Sequence, residues 1–224
     1  DMQHGVIDYQ TAVTMLQAIS TTEAMPFVRV PWNEPGIIGK VLDAGAYGVV
    51  IPLVNTREQA EAAVGACRYA PDGYRSFGPV RASLRTSDYF DTANDEIACI
   101  PMIETVAAVA AIDEILSVPG IDMVQFGPAD YAMSIGQVGN TKHPDVQKAE
   151  QLTIETALRK GLHPRVELRD PGLATRYLEM GVKHFCIGWD VAILYSWFKN
   201  NGAAMRELLG LEIPDQPLGA AFRN

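Results

Sequence analysis

Cysteine is scarce in this chain, basic charge is outnumbered, and no apolar run is long. The 224 residues include three cysteines, Cys67, Cys99 and Cys186, and no two share a CxxC spacing. That argues against a disulfide framework and against a closed thiolate zinc site. Cys99 in "IACIPMI" and Cys186 in "HFCIGW" sit in apolar runs and read as small core residues. Eighteen Lys and Arg face 27 Asp and Glu, for a net charge of −9, and the basic residues are scattered. A nucleic-acid groove or an anionic membrane is therefore not the expected partner. No stretch reaches the roughly 20 apolar residues of a membrane span, and no signal peptide is visible. The expectation is a cytoplasmic protein in a reducing compartment. No GxGxxG fingerprint supports a doubly wound dinucleotide sheet.

What is present is a repeated grammar. "KVLDAGAYGVVIPLV", "DEILSVPGIDMVQFGP" and "RYLEMGVKHFCIGWD" each run from an amphipathic helix through a glycine (Gly45, Gly120, Gly181) into a short apolar stretch. Glycine closes a helix by taking the left-handed conformation after the last turn. The apolar stretches lack polar alternation, as parallel strands covered on both faces do. Further helices are predicted in "DYQTAVTMLQAIS" after an Asp8 cap, in "TREQAEAAVGACRYA" from Thr56, in "TVAAVAAIDEIL", and in "HPDVQKAEQLTIETALRKG", where Pro144 opens the helix.

Strands are expected at 26–30, 48–54, 97–104, 123–127, 162–168 and 184–188, and "DMQHG" reads as the tail of one more. Alternation with helices implies βαβ units and a parallel sheet. The expected fold is a (β/α)8 TIM barrel over residues 1–204, lacking its first strand-helix unit, which implies a trimmed or disordered N-terminus. Residues 205–224, in "GLEIPDQPLGAAFRN" and just before it, are expected to form a tail on a neighbouring subunit. A long non-periodic segment, 69–96, carries Arg75, Arg81 and Arg85, either as anion contacts or on a solvated loop.

Barrel enzymes place their chemistry at the C-terminal ends of the strands. There stand Gln3 and His4, Arg29, Glu104, Asp130, Arg165 and Glu167, and Trp189 with Asp190. Glu104 and Asp130 come from consecutive strands, about 4.8 Å apart in a sheet. Two carboxylates at matching height either share a divalent cation or pair with Arg29; unpaired, one takes up a proton. Oxygen ligands with open positions suit Mg²⁺ or Mn²⁺, with Co²⁺ a further option. In "DMVQFGPADYA", Gly127 permits close approach and Pro128 sets the turn. The amides of Ala129 and Asp130 are then free for an anion at a helix start. An anion-binding turn beside a cation site describes a 2-oxo acid.

"VRVPWNEP", "VLDAGAYGVVIPLV", "PMIET" and "FGPADYA", in this order after "DMQHG", resemble the HpcH/HpaI family of metal-dependent 2-oxo-acid aldolases from residue 1 to about 204. The resemblance implies a phosphoenolpyruvate/pyruvate-type barrel and a homohexamer built as a trimer of dimers. It implies metal on Glu104 and Asp130, and Arg29 on the keto or enolate oxygen. It makes His4 the acid/base, a role suited to a side chain type that titrates near neutral pH, with Asp43 as its orienting carboxylate. By pattern alone Asp43 is a helix C-terminal residue. His143, His163 and His184 lack such context and read as structural. Gln3 departs from the glutamate of the family's opening motif. Arg165 and Glu167 either face the acceptor end of the pocket, favouring a hydroxylated aldehyde, or pair with each other.

The implied activity is reversible aldol cleavage and addition with pyruvate or hydroxypyruvate as donor and an aldehyde as acceptor. Oxaloacetate decarboxylation or another enolate-forming reaction uses the same residues. An acyl-CoA lyase finds no basic nucleotide-binding segment, and a non-enzymatic metal and 2-oxo-acid scaffold has no need of His4, Arg29, Glu104 and Asp130 together.

Overall fold

The structure is a computed structural model that describes residues 1–168 and 170–212. Six strands, β1 (Phe27–Arg29), β2 (Gly48–Ile51), β3 (Ala98–Ile103), β4 (Met123–Phe126), β5 (His163–Leu168) and β6 (His184–Ile187), alternate with helices. The helices are α1 (Tyr9–Ile19), α2 (Pro35–Asp43), α3 (Arg57–Cys67), α4 (Tyr89–Glu96), α5 (Val106–Ala110), α6 (Ile112–Ile115), α7 (Pro128–Ser134), α8 (Pro144–Arg159), α9 (Ala174–Met180) and α10 (Asp190–Leu208). Every strand pairs in parallel with its chain neighbours, in the order β1-β2-β3-β4-β5-β6.

The described residues therefore do not form the expected closed (β/α)8 barrel. The sheet is an open, curled half-barrel with β1 and β6 as its two edges. Closure needs the last strand to reach the first at a tilt and stagger set by the strand number, and six strands leave that gap unbridged. "DMQHG" forms no strand, although the Met2 N–H donates to the Arg29 carbonyl at 2.9 Å. The segment 69–96 is less irregular than expected, since it ends in α4 and includes a 3₁₀ turn at Ala82–Leu84. The helix expected in "TVAAVAAIDEIL" is broken at Ala111 into α5 and α6. Helix α10 runs through residue 205 to Leu208, and residues 213–224, most of the expected tail, lie outside the described residues.

Local signals explain where elements begin and end. Asp8 caps α1 by accepting from Thr11 N at 2.8 Å, and Thr56 caps α3 by accepting from Gln59 N at 3.2 Å. Gly45, Gly120 and Gly181 all have φ near +100°, the left-handed closure that side chains resist. Alternation then divides the sheet's faces. Val49, Ile51, Cys99, Ile103, Val124 and Phe126 pack outward in the main core beneath the helices. Val50, Ile100, Met102 and Met123 form a small cluster on the inner face. Cys67 and Cys99 are buried, whereas Cys186 is only half-buried.

Candidate active site

The inner face ends, at the C-terminal edge of β3, in Glu104. This carboxylate is 1% exposed. Its Oε1 accepts from the Leu53 N–H at 2.7 Å, an amide aimed by a left-handed Leu53 (φ 55°). A non-glycine residue in that region is strained, and such strain gathers where geometry serves function. Its Oε2 is buried and has no hydrogen-bond partner. Burial pushes the Glu104 carboxyl up to about 7, and the negative charges of Asp130 and Glu167 push the same way; the Leu53 amide and Arg29 oppose them.

Gly127 makes this placement possible. A Cβ at that position would lie 2.3 Å from Glu104 Oε2 and 2.6 Å from its Cβ, far inside contact distance. The break from an apolar strand into Gly-Pro-Ala-Asp thus has a steric cause: only glycine lets Glu104 lie across the end of β4. Pro128 then opens α7, whose first internal bond runs from Tyr131 N to Gly127 O at 3.0 Å. The amides of Ala129 and Asp130 precede that bond and are the unsatisfied donors of a first turn. Asp130 is half-buried in the same turn.

Arg29, at the end of β1, is held by Asp1 rather than by either acid of the pair. Its Nε and NH2 donate to Asp1 Oδ1 and Oδ2 at 2.9 and 2.6 Å. Asp1 also accepts from the backbone of Gln3 and His4, so one carboxylate ties the opening motif to the β1 arginine. The His4 residue is exposed, and the buried Gln3 Oε1 has no partner. Asp43 does end α2, as its pattern suggests, but it also holds a buried cation. Arg75 donates to its Oδ1 at 2.7 Å and to Tyr89 Oη at 3.1 Å, while its guanidinium lies 4.4 Å from the Tyr69 ring centroid. Among the described residues no hydrogen bond or ion pair joins His4 to Asp43.

Arg75 is thus an internal clamp, whereas Arg81 is half-buried and Arg85 is exposed. Arg81 donates to Ala44 O and Ser20 Oγ, and Arg85 reaches Thr22 O. On β5, Arg165 and Glu167 share the inner face without forming an ion pair with each other among the described residues. Gln125, 1% exposed on β4, stands between them. Its carbonyl accepts from Arg165, and its Nε2 donates to Glu167 Oε1 at 2.7 Å. By pattern alone Gln125 is part of a strand core. The signal was there, one amide inside "MVQF". Leu53 left no such signal, because its role depends on backbone conformation.

An open cleft of about 330 Å³ lies beside Leu53, between Trp32 and Asn55. Asn55 is fixed by Thr105, the residue after Glu104. Among the described residues no three His, Cys, Asp or Glu side chains cluster around a common point. The Glu104–Asp130 pair nevertheless fits a hard divalent cation. An orphaned buried carboxylate oxygen and a raised carboxyl are what a missing positive charge leaves behind.

A family model described as HpcH/HpaI aldolase/citrate lyase matches residues 1–195. The chain belongs to that family. It is 39% identical over 198 residues to a 4-hydroxy-2-oxo-heptane-1,7-dioate aldolase of Salmonella dublin, covering 87% of this chain and 75% of that one. Among solved structures it is similar to the citrate synthase SbnG, with 32% identity, a TM-score of 0.84, and 92% of this chain and 81% of that one covered. It is equally similar in fold to an HpcH/HpaI aldolase/citrate lyase family protein from Burkholderia cenocepacia J2315, with 31% identity, a TM-score of 0.84, and coverage of 92% and 84%. The HpcH/HpaI chain is an aldolase-type carbon–carbon lyase of the divalent-metal-dependent class. No helix among its described residues is long and apolar enough to cross a membrane.

Proposed function

We propose that this enzyme cleaves and forms the bond between C3 of a 2-oxo acid, pyruvate or hydroxypyruvate, and an aldehyde carbon. The observation that carries the reading is Glu104 Oε2, buried without a partner and seated against Gly127. Glu104 and Asp130 would hold Mg²⁺ or Mn²⁺. Such a cation, when bound, supplies Lewis acidity toward the oxygens of the 2-oxo acid.

The chain's own residues do the rest. The Ala129 and Asp130 amides receive the donor carboxylate. In cleavage, His4 takes the proton of the C4 hydroxyl, the C3–C4 bond breaks, and the aldehyde leaves. The electron pair stays on the 2-oxo acid as its enolate, whose negative charge faces Arg29. Reprotonation at C3 completes the cycle, and addition is the reverse. Asp1 holds the Arg29 guanidinium in a two-point grip, so little reorientation is needed as charge develops. Asp43 would orient His4 through its second oxygen once the exposed imidazole is drawn inward, since here the two are not bonded and Arg75 fixes the first oxygen.

A second reading, decarboxylation of oxaloacetate or another enolate-forming carbon–carbon reaction, draws on the similarity to a protein named citrate synthase. It uses the same residues. Assembly is part of the proposal: α10 exposes Ile193, Leu194, Trp197 and Phe198, an apolar face that supports a homo-oligomer such as a hexamer built as a trimer of dimers. Three free thiols fit a reducing cytoplasm.

The test is proton NMR of pyruvate in D₂O with the protein, first with Mn²⁺ or Mg²⁺ and then with chelator. Metal-dependent loss of the methyl signal is expected. Retention of that signal, and of the corresponding signal of hydroxypyruvate, contradicts the reading.

A further inference from the structure

The inner face of the sheet is layered. Met102 pairs with Gln125, and Gln125 pairs with Arg165. Carrying that register forward by two residues puts Glu104, Gly127 and Glu167 side by side in the next layer, toward the C-terminal edge. Gly127 has no side chain, so nothing from β4 separates the two carboxylates at that height.

Gln125 fixes what Glu167 can offer. Its carbonyl is turned to Arg165 in its own layer, which leaves its Nε2 to donate upward to Glu167 Oε1. A buried amide between a cation and a carboxylate has one orientation that satisfies both ends. Arg165 is thereby engaged one layer below, and Glu167 Oε2 accepts no bond among the described residues. The top layer thus presents a held, half-used carboxylate two strands from Glu104.

We propose that Glu167 determines the aldehyde partner: it accepts a hydrogen bond from a hydroxyl group of the acceptor and disfavours acceptors that carry a carboxylate there. Gln125 and Arg165 are positioning residues for it. The proposal rests on the aldol reading above and names the substrate class for its acceptor half, a hydroxylated aldehyde. The physical basis is asymmetric. A site built to receive a hydroxyl loses strongly with an analogue lacking one, and the charge of Glu167, exposed on the inner face and held in place by Gln125, repels a second carboxylate brought beside it.

The experiment compares kcat/KM for glyceraldehyde, propanal and succinic semialdehyde with pyruvate as donor, in wild type, E167Q, E167L and Q125L. Ratios between acceptors within one variant cancel any damage to the donor half. Wild type is expected to prefer glyceraldehyde over propanal by roughly tenfold or more, with succinic semialdehyde poorest. E167L should bring the first ratio to within about threefold. E167Q should keep part of that ratio while improving succinic semialdehyde relative to glyceraldehyde about tenfold. Q125L should lower the glyceraldehyde ratio although it removes no acceptor contact. Ratios unchanged in both Glu167 variants, or a wild type that favours succinic semialdehyde, overturn the inference. A wild type that exchanges pyruvate protons yet shows no acceptor preference overturns this inference alone. A wild type that exchanges none overturns the aldol reading, and the inference falls with it.

Discussion

The two ends of the sheet obey the same local rules and come out differently. All four residues of β2 are buried, and six of the 11 residues of α3 are buried. None of the four residues of β6 and none of the 19 residues of α10 is buried. Both regions show the same helix–glycine–strand pattern, with Gly45 before β2 and Gly181 before β6 in nearly the same left-handed conformation. The pattern sets the element, and a second layer sets its burial. The candidate site straddles that line: Glu104 and Asp130 follow the well-packed β3 and β4, whereas Arg165 and Glu167 stand on β5 beside the exposed β6, and Arg29 stands on the other edge strand, β1.

The largest effect that would break this comparison is on Glu104. E104Q keeps an oxygen for the Leu53 amide and loses the charge, so metal-dependent pyruvate exchange should fall by on the order of a hundredfold or more. NMR exchange rates check it, and a rate within a few-fold of wild type would remove Glu104 from the reaction.

The pH dependence of stability comes next. The folded Glu104 carboxyl lies at about 7 against an ordinary 4.5, so between those values the folded chain holds more protons than the unfolded one. Without metal, stability contributed at this group is greatest below about 4.5, falls as pH rises through 7, and is flat above. The loss is on the order of 3 kcal/mol. Urea unfolding at pH 5 and 7.5 should show the fall in wild type and lack this component in E104Q, and an equal fall in both would assign it elsewhere.

Packing separates the two ends more directly. I38A, in the fully buried face of α2, should cost about 2–5 kcal/mol, and G127A about 1–3 kcal/mol by forcing Glu104 aside. W197A, on a side chain 59% exposed, should cost the separated subunit under about 0.5 kcal/mol. Its effect should appear in assembly mass by light scattering, and a wild-type mass identical to that of W197D would remove α10 from any interface. The smallest effect is at the exposed Arg57–Glu61 pair, where E61A should cost about 0.3–0.5 kcal/mol.

Much of this was legible in the residues. Asp8, Thr56, Pro144 and the three capping glycines mark element boundaries, because each acts on its nearest neighbours. Barrel closure was not legible: it depends on whether two distant edges meet, and no local pattern records that. The positions of Glu104 and Asp130 at strand ends are legible because each carboxylate follows an apolar run, where its charge needs a cation or a donor. Asp1 as the partner of Arg29, Arg75 as the partner of Asp43, and Gln125 between Arg165 and Glu167 are pairings over 28, 32 and 40 or more residues. They exist only once the sheet is folded.

The most direct test of the account is Mn²⁺ binding at pH 7.5, followed by electron paramagnetic resonance in wild type, E104Q and D130N. The account predicts one Mn²⁺ per chain in wild type and at least about tenfold weaker binding in each variant. Undiminished binding in both variants would contradict it, because the buried oxygen of Glu104 would then have some other purpose.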